Sequence, residues 1–187
     1  MLRTEGLLVD LPNRGTFVVR LSPTDVCEIL ELRAAIESRA AKTLGRRAGE
    51  KDVRELERLL TRFEAAADAG DVRAAARADL ALHEAVCRLS GNRRLHAVFM
   101  RDVATVQTLI EIDDQLYRSL SDTAQEHRPL LEAIETGDPE AAAARFEAHI
   151  DQARELVAKF IEALPDADQS SESDRLGSAH DDTPGEL

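Results

Sequence analysis

Apolar residues recur every three or four positions along most of this chain, the spacing that lines them up on one face of an α-helix. Six such runs are separated by stop and start signals. Ser22 as N-cap, with Pro23 and Asp25 behind it, opens a first helix carrying Val26, Ile29, Ile36, Ala40 and Leu44. A second spans about 50–69 on Val53, Leu56, Leu60 and Phe63, and Gly70 ends it. Asp71 starts a third that closes at Ser90-Gly91, and Asn92 begins a long fourth on Leu95, Phe99, Val103, Val106, Ile110 and Tyr117. Ser121 or Asp122 starts the fifth, which ends near Gly137. Pro129 should kink it, because the proline ring removes a backbone donor. Asp138-Pro139 opens a sixth helix that halts before Pro165. The β-signal is confined to two short runs, 7–11 and 16–20, around Pro12-Asn13-Arg14-Gly15, and it predicts a small hairpin.

The pattern therefore predicts an all-α protein. An antiparallel helical bundle fills residues 22–164, a short hairpin occupies 1–21, and an acidic tail, 165–187, is too polar to bury a core and should be disordered. Charge changes the picture in one respect. The net charge is −12, and half of it comes from the tail, where seven acids face Arg175 alone. No Lys/Arg-rich stripe supplies the footprint of a stand-alone DNA binder. No apolar run approaches the roughly 18 residues of a membrane span, and the start of the chain lacks a signal-peptide pattern. Cys27 and Cys87 lie within helical patterns and read as reduced thiols. The expected setting is cytoplasmic.

Among the polar residues that intrude on the apolar stripes, four carry atoms that could together ligate a metal. At about 100° per residue, Asp79 and His83 lie within roughly 40° of each other, in the stripe of Val72, Ala76, Leu82 and Val86. His127 aligns with Ala124, Leu131 and Ile134, and His149 with Ala142, Ala153, Leu156 and Phe160. All four should point inward, where unpaired polar groups are costly. Three imidazoles and a carboxylate make an N3O donor set suited to a divalent cation, Zn2+ first, with Ni2+ or Mn2+ as alternatives. Glu84 and Glu126 are rotated about 100° away from the neighbouring histidines and should be solvated. His96 and His180 do not converge on the set.

Two plainer readings stand beside a metal-centred pocket. The four residues could hydrogen-bond to one another in a metal-free dimerisation module. A three-histidine site with open positions could also activate water in a hydrolase-like enzyme, although no further base is placed for it and His-Glu-x-x-His is absent. Arg33, in the middle of the first apolar stripe, needs an anion. That anion is either Glu37 one turn on or the carboxylate of a bound ligand.

The chain resembles the effector-binding FCD domain of FadR-type GntR transcriptional regulators over roughly 22–162. The resemblance rests on Glu31-Leu32-Arg33 with Ile36-Glu37, Asp79-Leu80-Ala81-Leu82-His83, Ser90-Gly91-Asn92, Glu126-His127-Arg128, Ala133-Ile134-Glu135 with Gly137-Asp138-Pro139, and Ala148-His149-Ile150. It implies a bundle of six or seven helices, a divalent metal held by Asp79, His83, His127 and His149, a small organic acid as effector touching Arg33, and a homodimer. It implies a regulator and not an enzyme. Residues 5–18 are similar to the end of a winged helix-turn-helix, including its wing, from which Arg14 and Gly15 could reach DNA. The helices that would read the major groove have no counterpart here, so operator binding is expected only where a helix-turn-helix is supplied.

Overall fold

The computed structural model describes residues 8–11, 15–18, 21–117 and 119–163. Two strands, β1 (Leu8–Leu11) and β2 (Gly15–Val18), pair antiparallel with Leu8 opposite Val18. Eight helices follow among the described residues: α1 (Pro23–Gly45), α2 (Glu50–Asp68), α3 (Val72–Leu89), α4 (Arg93–Arg101), α5 (Val103–Leu116), α6 (Leu120–Glu126), α7 (Arg128–Glu135) and α8 (Pro139–Glu162). The expected tail and Arg14 lie outside the described residues, and Gly15 begins β2.

Local chemistry sets most of these boundaries. Ser22 and Asp25 form a reciprocal capping box at the start of α1, and the side chains of Asp71, Asn92 and Asp138 accept from backbone N–H groups two or three residues on. Gly91, at φ +75, ends α3 in the left-handed region, and a Cβ there would also clash with Nη1 of Arg47, which donates to the Ser90 carbonyl.

Two of the six expected helices are divided. The fourth breaks at Asp102, whose φ −109 and ψ 13 leave the helical region, giving α4 and α5. The fifth breaks at His127, with Pro129 in the first turn of α7, so the kink expected from that proline occurs two residues before it. That segment also starts earlier than Ser121: Ser119 is the cap, accepting from the Asp122 N–H.

Helices α1 and α8 form the most extensive pairing and run antiparallel. Lys42 and Arg46 at the end of α1 reach Glu140 at the start of α8, and Val26 shares a cluster with Val157 at the opposite ends. The largest apolar cluster contains Leu44, Leu56, Leu60, Leu82, Leu130 and Phe146. Smaller clusters gather around Val26, Leu30, Leu109 and Ile150, around Phe63 and Ala75, and around Ala76, Val106 and Ile110. Arg33, Glu37, Asp79, His83, Asp113, Asp114 and His127 are buried among them, a polar layer inside the bundle. The α8 stripe is centred one position from expectation: Ala142, Phe146, Ile150, Ala153 and Val157 are buried, while Phe160 is 37% exposed, as is Val72 on α3.

Candidate metal centre

The polar layer is assembled from α1, α3, α5, the α6–α7 break and α8. One turn of α3 separates Asp79 from His83 and puts both on its buried face. The break before Arg128 presents His127, fully buried, at a helix junction. His149 enters from α8 beside the buried Ile150 and is itself partly exposed, next to a surface cleft lined by Glu126, Pro129, Arg145 and Gln152.

The ligating atoms of His83, His127 and His149 all lie within 4.8 Å of one another. The Nε2 atoms of His83 and His127 are 3.2 Å apart, and Asp79 Oδ1 stands 3.1 Å from the first and 3.4 Å from the second. Donors held about 2.1 Å from one ion are separated by about 3.0 Å at right angles and about 3.4 Å at the tetrahedral angle. The triangle has those dimensions. The His149 ring stacks on His83, 5.4 Å between centroids and 11° between planes, and meets His127 edge-on at 4.5 Å.

The other ring nitrogens are already engaged. His127 Nδ1 donates to the Thr123 carbonyl at 2.9 Å, which fixes its proton there and turns Nε2 toward the centre. His83 Nδ1 donates to Glu37 Oε2, and Glu37 Oε1 takes the Nε of Arg33 at 2.6 Å. When both rings are neutral, three electron-rich atoms therefore converge, and they repel unless positive charge, from a proton or a metal ion, lies between them. Asp79 Oδ1 has no hydrogen-bond partner in this arrangement, so the neighbouring imidazoles leave it unsatisfied. The donor set fits a divalent cation, and Glu37, which no single-helix projection could tie to His83, orients one of its ligands.

Electrostatics divide the layer. Burial raises the carboxyls of Asp79 and Glu37, but the imidazoles of His127 and His83 outweigh it at Asp79, and Arg33 and His83 outweigh it at Glu37, so both are held below the ordinary range. Burial lowers His149 well below the usual imidazole value, with His127 and His83 adding to it, which keeps its lone pair available. Asp113 and Asp114 behave oppositely: burial first, then the charge of Asp79, pushes them up to about 7 and about 8. Sequence reading missed these two acids. Both occupy stripe positions on α5 with Val106 and Ile110, the signal that identified Asp79.

Each expected site residue can now be located. Asp79, His83, His127 and His149 come together. Arg33 pairs with Glu37, as the plainer reading held, yet its Nη2 remains buried without a partner. Glu84 bridges Arg88 and His96, with His96 Nε2 at 2.5 Å, and Glu126 takes the Tyr117 hydroxyl at 2.7 Å, so neither is simply solvated. His96 stays outside the set.

Comparison with known proteins agrees with this architecture. The FCD domain model matches residues 28–152. The chain is 32% identical over 148 residues to a "Probable D-xylose utilization operon transcriptional repressor" of Paenarthrobacter nicotinovorans, covering 78% of this chain and 63% of that relative. It thus spans less than two thirds of the relative's length. Solved structures with the same fold include Streptococcus agalactiae GntR (TM-score 0.59, 24% identity, 82% of this chain and 77% of that one) and E. coli McbR/YncC (TM-score 0.73, 16% identity, 85% and 80%).

Proposed function

The chain belongs to the FCD domain family, and from that premise we propose that it is the metal-dependent, ligand-sensing part of a GntR-type transcriptional regulator. Asp79, His83, His127 and His149 hold the ion, with Zn2+ suiting a borderline three-nitrogen, one-oxygen set and Ni2+ or Mn2+ as alternatives. An ion held by these four donors would have room for a further ligand. A small organic acid would provide it, with Arg33 Nη2 taking its second oxygen. The observation that carries this reading is the convergence of two Nε2 atoms and Asp79 Oδ1 within 3.1 to 3.4 Å, with the opposite ring nitrogens already committed.

Binding, and not turnover, is the role we assign. The bound metal supplies charge that anchors the effector. The protein's own part is to orient the imidazoles through Glu37 and Thr123 and to keep Arg33 poised by holding its Nε on Glu37. Because the layer ties α1, α3, α5 and α8 together, ligand binding shifts the balance between helix arrangements, and a homodimer passes that shift to operator-reading helices supplied outside the bundle. Such a regulator works in the cytoplasm, and none of the described helices is long and apolar enough to cross a membrane. A thermal-shift screen of small carboxylates, with and without chelator, tests the mechanism. Stabilisation confined to the metal-loaded chain supports it, and equal stabilisation of the chelated chain contradicts it.

A further inference from the structure

Part of the polar layer has no role in holding a metal. Asp113 and Asp114 sit side by side on α5, 9% and 2% exposed, on the stripe that carries Val106, Leu109 and Ile110 into the core. Asp113 Oδ1 and both carboxyl oxygens of Asp114 have no protein hydrogen-bond partner, and neither has the buried Nη2 of Arg33. Ile110, one turn before these acids, packs with Ala76, one turn before Asp79, and Leu109 packs with Ile150, next to His149. The orphaned atoms therefore share one interior with the metal ligands, where the charges of Asp79 and Arg33 act on both acids. Elsewhere among the described residues, buried side-chain polar atoms find partners; the remaining exception is Asp79 Oδ1, at the centre itself.

Unpartnered buried groups persist where a ligand completes them. The open metal positions and Arg33 Nη2 make a pole that suits a carboxylate. Asp113 and Asp114 make a second pole with the opposite requirement. A hydrocarbon chain would leave three carboxyl oxygens buried and unsatisfied, and a second carboxylate would meet like charge. An ammonium group needs a carboxylate to pair with, and burial favours the neutral form of both acids. A hydroxyl group meets either state, because it donates to a carboxylate and accepts from a carboxyl.

We propose that Asp113 and Asp114 are specificity-determining residues that select small carboxylates bearing hydroxyl groups over their deoxy counterparts. The proposal rests on the reading that a carboxylate binds at the metal. It assigns the acids the far end of the ligand, away from its carboxylate.

Calorimetric titration of the Zn2+-loaded chain with matched pairs tests it: glycerate against propionate, 3,4-dihydroxybutanoate against butanoate, gluconate against hexanoate, using both enantiomers of the chiral acids. At least one hydroxylated acid should bind at least about tenfold more tightly than its deoxy partner. Asp113→Leu and Asp114→Leu should each reduce that ratio to less than about threefold while one Zn2+ per chain and binding of the deoxy acid persist. Where a leucine variant does not fold, Asp113→Asn and Asp114→Asn keep the shape and should still change the ratio by at least about threefold. Equal affinities within every pair, a ratio unchanged in the variants, or tighter binding of the hydroxyl-free amino acids alanine and β-alanine than of glycerate would overturn the selectivity while leaving the metal-bound carboxylate standing. Binding of no acid at all overturns both.

Discussion

The cluster around Leu44, Leu60, Leu82 and Phe146 and the polar layer around Asp79 and Asp114 are both buried in the same bundle, yet they are completed differently. In the first, every side chain is hydrophobic and makes its contacts within the protein. In the second, Arg33, Asp79, Asp113 and Asp114 bring all the unpartnered buried side-chain atoms found among the described residues. The apolar cluster stabilises the fold whatever is bound. On the proposed function, the polar layer costs stability until a cation, and then a ligand, supplies what its atoms lack. A sensor needs this division, because a region whose stability depends on the ligand can report it.

The largest effect should come from the side of the comparison that ignores ligands. Leu60 is fully buried, so Leu60→Ala should lower unfolding free energy by about 3–5 kcal/mol. Denaturant titrations should give the same loss with Zn2+ and with chelator. A loss that differs between the two would break the separation of the regions.

Next comes the metal. At a Zn2+ concentration about a thousand times its dissociation constant, binding should add about 4 kcal/mol to the native state. Chelation should remove that increment from the wild-type chain and change His127→Ala little.

Acidity should distinguish the layer by a smaller amount. In the unfolded chain Asp113 and Asp114 ionise near 3.8, whereas in the fold they hold their protons to about 7 and about 8. Groups raised in this way contribute stability that is complete below pH 4 and lost as pH rises through their folded values. Chelated protein should therefore lose about 2 kcal/mol between about pH 6.5 and 8. Asp114→Asn should flatten that decline, and an unchanged slope would place the titration elsewhere.

The smallest expected effect lies at a helix start remote from the layer. The Asn92 side chain accepts from the Arg94 and Leu95 N–H groups, so Asn92→Ala should cost about 1 kcal/mol, equally with and without metal.

The helix order was legible because its punctuation is local. Ser22, Asp71, Asn92 and Asp138 cap within three residues, and Gly70, Gly91 and Gly137 take positive φ where helices end. The break at Asp102 was not legible, since neither glycine nor proline marks it. Asp79, His83, His127 and His149 were visible as polar intrusions on apolar stripes, a test that needs one helix at a time. By the same test Asp113 and Asp114 should have been found, but Glu111 beside them makes the stretch resemble a solvated acidic run. Glu37 was half seen. Its pairing with Arg33 is a one-turn contact, whereas its bond to His83 joins α1 to α3 and follows only from tertiary packing.

The central claim is that Asp79, His83, His127 and His149 share one ion. Equilibrium dialysis against Zn2+, followed by elemental analysis of the folded wild-type chain and of His83→Ala, His127→Ala and His149→Ala, tests it most directly. The account predicts one tightly held ion per wild-type chain and a loss of at least about tenfold in affinity in every variant. A wild-type chain that retains no ion, or variants that bind it as tightly as wild type, would contradict it.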